Sequence, residues 1–140
     1  MSVYNSITET IGDTPIIRLN RMVPPGAHIY VKSERCNPGG SIKDRPALSM
    51  IDDAVTRGLL KEGGTIVEPT SGNMGISLAM IAAARGYHAV IVMPDSMTRE
   101  RISLMKAYGA EIVLSPGANG MRGAVELAES IAKERGGFLC

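Results

Sequence analysis

Ala89-Val90-Ile91-Val92-Met93 is a continuous apolar run that ends at Pro94. Strands of a parallel sheet that are buried on both faces have this pattern, whereas a half-exposed strand alternates apolar and polar residues. The run therefore predicts a central parallel strand. Because parallel strands need crossover connections, usually helices, we expect helical segments on either side of it.

The segments around this run alternate between helical and extended periodicity. Strands that alternate with helices imply βαβ units with right-handed crossovers. We therefore predict an α/β fold, in which a parallel twisted sheet carries helices on both faces. The predicted helices are residues 42–60, 73–85, a segment that Ser96 or Thr98 caps and that ends near Tyr108, and 121–134. The predicted strands are residues 29–32, 65–68, 89–93, 111–114 and a strand that starts at Phe138.

Two of these helices have informative faces. In the first, a polar side is expected to carry Asp44, Asp52 and Asp53, opposite an apolar stripe that extends to Val55 and Leu59. The segment 73–85 is apolar on nearly all sides, which is typical of a buried helix. Residues 1–35 follow a different rhythm, with three prolines and two short strands, and are expected to pack separately.

The composition is that of an ordinary globular chain and excludes several classes of function. The chain has 140 residues and a net charge of +1, with no basic stripe, so nucleic acid is not an expected partner. The longest apolar stretch, residues 76–84, is too short to cross a bilayer, and the first residues do not resemble a signal peptide. Two cysteines and two isolated histidines make no metal site. We expect reduced thiols and a cytoplasmic location.

Asn37-Pro38-Gly39-Gly40-Ser41-Ile42-Lys43-Asp44-Arg45 places a lysine between a glycine turn and the start of a helix. A cation usually avoids a helix N-terminus, because the macrodipole there is already positive. That position, Arg45 nearby and partial burial would all favour the neutral amine, which is the form that makes a Schiff base with an aldehyde. Asp44 would oppose this if it pointed toward the amine. Lys43 is therefore a candidate catalytic residue.

Thr70-Ser71-Gly72-Asn73-Met74-Gly75 leaves a predicted strand and opens a predicted helix. In an open α/β sheet, ligands bind outside the carboxyl ends of the strands. Exposed N–H groups at a helix start attract anions, so the loop could hold a substrate carboxylate. The alternative interpretation is a strand-to-helix turn that an Asn or Ser side chain caps.

The lysine segment and this loop, together with several other stretches, resemble a known family. Residues 37–46, 68–75, Met93-Pro94 with Glu100-Arg101, and 106–114 resemble the cysteine synthase (O-acetylserine sulfhydrylase) family of pyridoxal-phosphate-dependent β-replacement enzymes. Ile11-Gly12-Asp13-Thr14-Pro15 is similar to the N-terminal signature of that family. The resemblance covers essentially the whole chain.

The resemblance implies a cofactor, pyridoxal 5'-phosphate, and roles for particular residues. Lys43 would carry the cofactor, and Asn73 would hydrogen-bond the oxygen on its ring. The substrate carboxylate would be held by Thr70, Ser71, Gly72, Asn73 and Met74. The implied fold is the small domain of a fold-type-II enzyme at residues 40–140, with residues 1–39 packing on a larger C-terminal domain that this chain lacks.

The chain departs from the family in two ways. Met74 replaces a threonine whose hydroxyl helps to bind the carboxylate, and the chain has about half the family's length. The implied function is cysteine synthesis from O-acetylserine and sulfide in a homodimer, with this chain alone weakly active or inactive. The alternatives are a cystathionine β-synthase-like enzyme, a serine/threonine dehydratase-like enzyme, and a non-catalytic truncated domain.

Overall fold

The part of the chain that the structure describes forms six strands and four α-helices, and strands and α-helices alternate after the first two strands. The structure, a computed structural model, describes residues 2–140. The strands are β1 (Ile16–Arg18), β2 (Tyr30–Lys32), β3 (Thr65–Pro69), β4 (His88–Pro94), β5 (Glu111–Ser115) and β6 (Phe138–Leu139). The helices are α1 (Asp44–Thr56), α2 (Asn73–Arg85), α3 (Arg99–Ala107) and α4 (Gly120–Arg135).

Strands β3 to β6 form one parallel sheet in the order β5-β4-β3-β6. The apolar run of β4 lies in the middle of it, where residues 89–94 are buried. Because all four strands run in one direction, their carboxyl ends meet at one edge of the sheet. The chain leaves β3 at that edge and enters α2 through residues 70–72.

Helices cover both faces of the sheet, because alternate strand residues point to opposite sides. Ile66, Ile91 and Met93 belong to a buried cluster with residues of α1, α2 and α3. Val67 and Val92 belong to a second cluster with the small residues of α4. The predicted fold class, a parallel α/β sheet with helices on both faces, is confirmed.

Helix α1 is shorter than predicted and begins at Asp44 and not at residue 42. Gly58 has a φ of +71°, which a glycine adopts without steric cost. The N–H groups of Gly58 and Leu59 donate to the carbonyls of Val55 and Ala54, and these two bonds end the helix. Val55 and Leu59 belong to the predicted apolar stripe, but both are exposed, and Leu59 lies beyond the end of the helix.

The two short strands predicted for the N-terminal segment are present as β1 and β2. β1 and β2 pair antiparallel and are not part of the four-stranded sheet. A polar cluster ties this segment to α1: Arg45 pairs with Glu34 at 2.9 Å, and Thr14 donates to Glu34 Oε1 at 2.8 Å. Hydrogen bonds from Arg45, Thr14 and Asn37 hold the pKa of Glu34 at about 2.

Candidate active site

Lys43 lies immediately before α1, and its side chain is exposed. Its backbone is fixed, since its N–H donates to Ser41 Oγ at 3.1 Å and its carbonyl accepts from Ala47 N–H. No hydrogen bond or ion pair among residues 2–140 engages its amine. The expected partial burial of Lys43 is wrong. Arg45 turns toward Glu34, so its charge is paired there.

Asp44 is fully buried, which contradicts its expected place on the polar side of α1. Its Oδ2 accepts from Gly39 N–H at 2.6 Å and its Oδ1 accepts from Ser77 Oγ at 2.5 Å. A Cβ at position 39 would collide with this carboxylate, so Gly39 is required there. Asp44 therefore points away from solvent and joins the glycine turn before Lys43 to α2.

Ser77 joins the two candidate segments. Its Oγ lies 2.5 Å from Asp44 Oδ1 and 3.0 Å from the carbonyl oxygen of Asn73. Asp44 directly follows Lys43, and Asn73 is the first residue of α2. The start of α1 and the start of α2 are thus brought together at the carboxyl edge of the sheet.

Hydrogen bonds hold all three residues of the loop from β3 to α2, which are Thr70, Ser71 and Gly72. Thr70 N–H donates to the carbonyl of Val92, which keeps the loop attached to β4. Gly72 N–H donates to Thr70 Oγ1 at 3.3 Å, so the buried Thr70 hydroxyl supports the loop from within. The Ser71 carbonyl accepts from Arg101 Nη1 at 2.9 Å.

The first turn of α2 presents donors to solvent. Asn73 is exposed, and within residues 2–140 no group accepts from its side-chain amide or from the N–H groups of Asn73 and Met74. No side chain caps this helix, which argues against the alternative in which the loop is only a capped turn. Free N–H groups at a helix start are suited to a carboxylate. The Met74 side chain packs on the core.

Gly75 allows α2 to approach the sheet closely. A Cβ there would lie 2.7 Å from Thr70 Cγ2 and 2.9 Å from Met105 Sδ, closer than van der Waals contact permits. The glycine therefore sets how near the donors of α2 lie to the sheet edge.

Glu68 and Cys140 are functional candidates that sequence reasoning missed. The parallel register of β3 and β6 pairs Val67 with Leu139, so Glu68 and Cys140 are neighbours. Burial raises the pKa of Glu68 to about 7, and burial with the nearby Glu68 charge raises the pKa of the Cys140 thiol to about 12. The raised pKa favours the protonated thiol at neutral pH. The sequence signal that could have pointed to Glu68 is an acidic residue inside an otherwise apolar strand.

The raised pKa of Glu68 predicts a pH-dependent stability. The usual value is 4.5, so between pH 4.5 and about 7 the folded chain keeps a proton that the unfolded chain releases. Stability from this group therefore falls as pH rises through that window. Glu68→Gln should remove this loss of stability. At pH 8 the variant should be more stable than wild type by about 1–2 kcal/mol. This value allows for solvent screening, because the carboxyl is partly exposed. Urea midpoints at pH 5 and pH 8 measure this. Equal pH dependence in both proteins would contradict it.

The residues present fit the reactive end of an aldehyde-bearing cofactor. An accessible primary amine suits an aldehyde, and the unpaired side-chain amide of Asn73 suits a ring oxygen. The free N–H groups of α2 suit the carboxylate of an amino acid. The chain is thus an α/β protein whose candidate site combines an exposed amine with free hydrogen-bond donors at the start of α2.

The family model described as "Pyridoxal-phosphate dependent enzyme" matches residues 7–140, and the chain belongs to this family. The chain is 54% identical over 135 residues to a probable cysteine synthase of Bacillus subtilis (strain 168), an alignment that covers 96% of this chain and 43% of that protein. The predicted resemblance to cysteine synthases is confirmed, and so is the predicted cofactor, since the family depends on pyridoxal phosphate.

Solved structures agree with this assignment. A crystal structure of O-ureido-L-serine synthase superposes with a TM-score of 0.96 at 54% identity, over 99% of this chain and 44% of that one. O-acetylserine-dependent cystathionine β-synthase from Helicobacter pylori gives a TM-score of 0.89 at 31% identity, over 99% of this chain and 47% of that one. The chain spans less than half the length of these proteins.

Within residues 2–140, no helix is long and apolar enough to span a membrane. No three His, Cys, Asp or Glu side chains in the same range are grouped so that they could hold a metal ion.

Proposed function

We propose that this chain provides the lysine and the substrate-carboxylate loop of a pyridoxal-phosphate-dependent enzyme that makes cysteine and acetate from O-acetylserine and sulfide. The observation that carries the proposal is the connection from Asp44 through Ser77 to Asn73. This connection joins the start of α1, which Lys43 immediately precedes, to the start of α2, whose first N–H groups are free.

Each residue of the candidate site has a distinct part in the proposed reaction. Lys43 would hold the cofactor through its amine, and its Nζ would accept the proton from the α-carbon of the substrate. Asn73 would donate its side-chain amide to the ring oxygen of the cofactor. Thr70, Ser71, Gly72, Asn73 and Met74 form the loop that binds the carboxylate. When bound, the cofactor supplies an aldehyde and a conjugated ring that takes up negative charge.

Relatives with related activities support this class of reaction and define the alternatives. The K43A variant of O-ureido-L-serine synthase was solved with O-ureido-L-serine bound, which supports a role for a lysine at this position. Other relatives are named cysteine synthase or cystathionine β-synthase. Chemistry of the cystathionine β-synthase or serine/threonine dehydratase type is therefore the second proposal. A non-catalytic domain is the alternative of another class.

The substrate is tested with a panel of reactions. The chain with excess pyridoxal phosphate is mixed with O-acetylserine and sulfide, with serine and homocysteine, or with serine alone. Cysteine, cystathionine and pyruvate are then measured. Cysteine as the main product supports the proposal, and pyruvate or cystathionine supports the second one. No product from any mixture would favour the non-catalytic domain. We expect slow turnover, well below the value of about 10 per second that is typical of enzymes.

Asn73→Ala should weaken the binding of amino-acid substrates by about 1–3 kcal/mol, because a charged or polar partner loses a hydrogen bond. Met74→Thr is the matched variant in the same turn, and it should tighten binding or leave it unchanged, because it restores a donor. A titration of the cofactor absorbance with O-acetylserine measures both. Unchanged affinity in Asn73→Ala would remove this residue from the site.

The remaining proposals concern assembly and location. We propose a homodimer in the cytoplasm, with residues 1–39 packing on a larger domain outside this chain. Large apolar side chains of β1 and β2, such as Ile16 and Tyr30, are exposed and support such packing. Sedimentation of the chain at several concentrations tests self-association, and a monomer at all of them would contradict the dimer.

A further inference from the structure

Arg101 reaches the carboxylate loop from a different helix. It lies in α3, and its Nη1 donates to the carbonyl oxygen of Ser71 at 2.9 Å, across 30 positions of sequence. Arg101 also lies close to Gly72, because a Cβ added at Gly72 would lie 3.7 Å from Arg101 Nη1. The ion pairs among residues 2–140 do not include Arg101, so its charge is not neutralised by a paired carboxylate.

This contact fixes one particular peptide group. The peptide between Ser71 and Gly72 is held at both ends: its carbonyl accepts from Arg101, and its N–H donates to Thr70 Oγ1 at 3.3 Å. The next two N–H groups along the chain, those of Asn73 and Met74, are the free donors at the start of α2. The Ser71–Gly72 peptide directly precedes the peptide that carries the Asn73 N–H, so fixing it restrains the backbone from which the free donors extend.

We propose that Arg101 is a positioning residue for the substrate carboxylate, a role that rests on the proposed function. It orients the free amides of α2 through the Ser71 carbonyl, and its charge adds to the positive potential at the helix start. Arg101 acts through the loop and does not touch the reacting atoms. It therefore sets the affinity for an anionic amino-acid substrate and leaves the chemistry at Lys43 unchanged.

A purely structural role for Arg101 does not explain the contact. α3 is attached to the core by Met105, which is fully buried and lies next to Gly75. Arg101 is exposed and does not belong to the buried cluster that contains Met105. The variant Arg101→Ala should therefore fold normally, and a circular dichroism spectrum and a urea midpoint verify this.

The first test measures the loop without any cofactor. In Arg101→Ala, the amide hydrogen of Gly72 should exchange about tenfold faster than in wild type, which corresponds to a loss of about 1.4 kcal/mol of local protection. NMR detects this exchange directly. Arg99→Ala removes the same charge from the same helix and is the matched control, so it should leave Gly72 unchanged. Because the test needs no catalysis, it remains valid if Lys43 binds no cofactor.

The second test measures carboxylate affinity. The amide shifts of Asn73 and Met74 are followed during a titration with L-serine in the cofactor-free chain. Cofactor absorbance is followed with O-acetylserine in the loaded chain. Arg101→Ala should weaken binding about tenfold in either titration, while the absorbance before substrate addition stays that of wild type.

Two more variants separate the hydrogen bond from the charge. Arg101→Lys should recover part of the affinity, and Arg101→Gln should recover less, since it keeps a donor without the charge. Unchanged Gly72 exchange or unchanged affinity in Arg101→Ala overturns the proposal, and so does an equal loss in Arg99→Ala.

Discussion

A chain with Lys43 replaced by alanine is expected to hold no covalently attached pyridoxal phosphate and to form no measurable cysteine. The physical reason is that the accessible primary amine at the start of α1 is lost, and in the proposed function this amine both attaches the cofactor and accepts the α-proton. Loss of a proton-transferring side chain alone typically costs about 10²–10⁴-fold in rate. Sodium borohydride treatment followed by intact mass, and the cysteine assay, measure the two effects.

Two variants control for trivial explanations of the Lys43 result. Lys61→Ala removes another exposed lysine and should leave attachment and activity unchanged. Lys43→Arg keeps the positive charge but provides no reactive amine, so it should fail like the alanine variant. Because Lys43 is exposed and its side chain has no partner among residues 2–140, neither Lys43→Ala nor Lys43→Arg should alter the urea midpoint. Full cofactor attachment in Lys43→Ala would show that another amine carries it.

Replacing Asp44 with alanine should give the largest loss of stability among single substitutions near the site, about 2–4 kcal/mol. The substitution leaves Gly39 N–H without its acceptor, removes the acceptor of Ser77 Oγ and opens a cavity at a fully buried position. The relief of burying a charge offsets part of this loss. Urea unfolding at pH 7 measures the difference.

The matched control is Asp53→Ala on the exposed side of the same helix. Asp53 forms an exposed ion pair with Arg57, so its loss should change stability by less than about 1 kcal/mol. Asp44→Asn keeps one acceptor and should fall between the two variants. An Asp44→Ala chain as stable as Asp53→Ala would mean that the connection between α1 and α2 contributes nothing.

The sheet and the buried helix were predictable because their signals are local. The apolar run of β4 and the all-round apolar character of α2 are both contained in a few consecutive residues. The end of α1 was also available in the sequence, because Gly58 provides the left-handed residue that stops a helix. The predicted end of α1 was wrong because the apolar pattern continues past Gly58 to Leu59.

The connections within the candidate site were not predictable, because they join residues that are far apart in sequence. Asp44 resembles any polar residue of a helix start until Ser77, 33 positions later, is placed beside it. Arg101 likewise acquires a role only when α3 packs next to the loop and reaches Ser71. The exposure of Lys43 also depends on tertiary packing. Local periodicity does not report which side chains meet in this way.

The most direct test of the central claim is to locate the cofactor on the chain chemically. The chain is loaded with pyridoxal phosphate, reduced with borohydride, digested with trypsin and analysed by mass spectrometry. We predict a single labelled peptide, residues 36–57, because a modified Lys43 is not cut and Arg45 precedes Pro46. A label on any other lysine or on the N-terminal amine, with residues 36–43 recovered unmodified, would contradict the proposed active site.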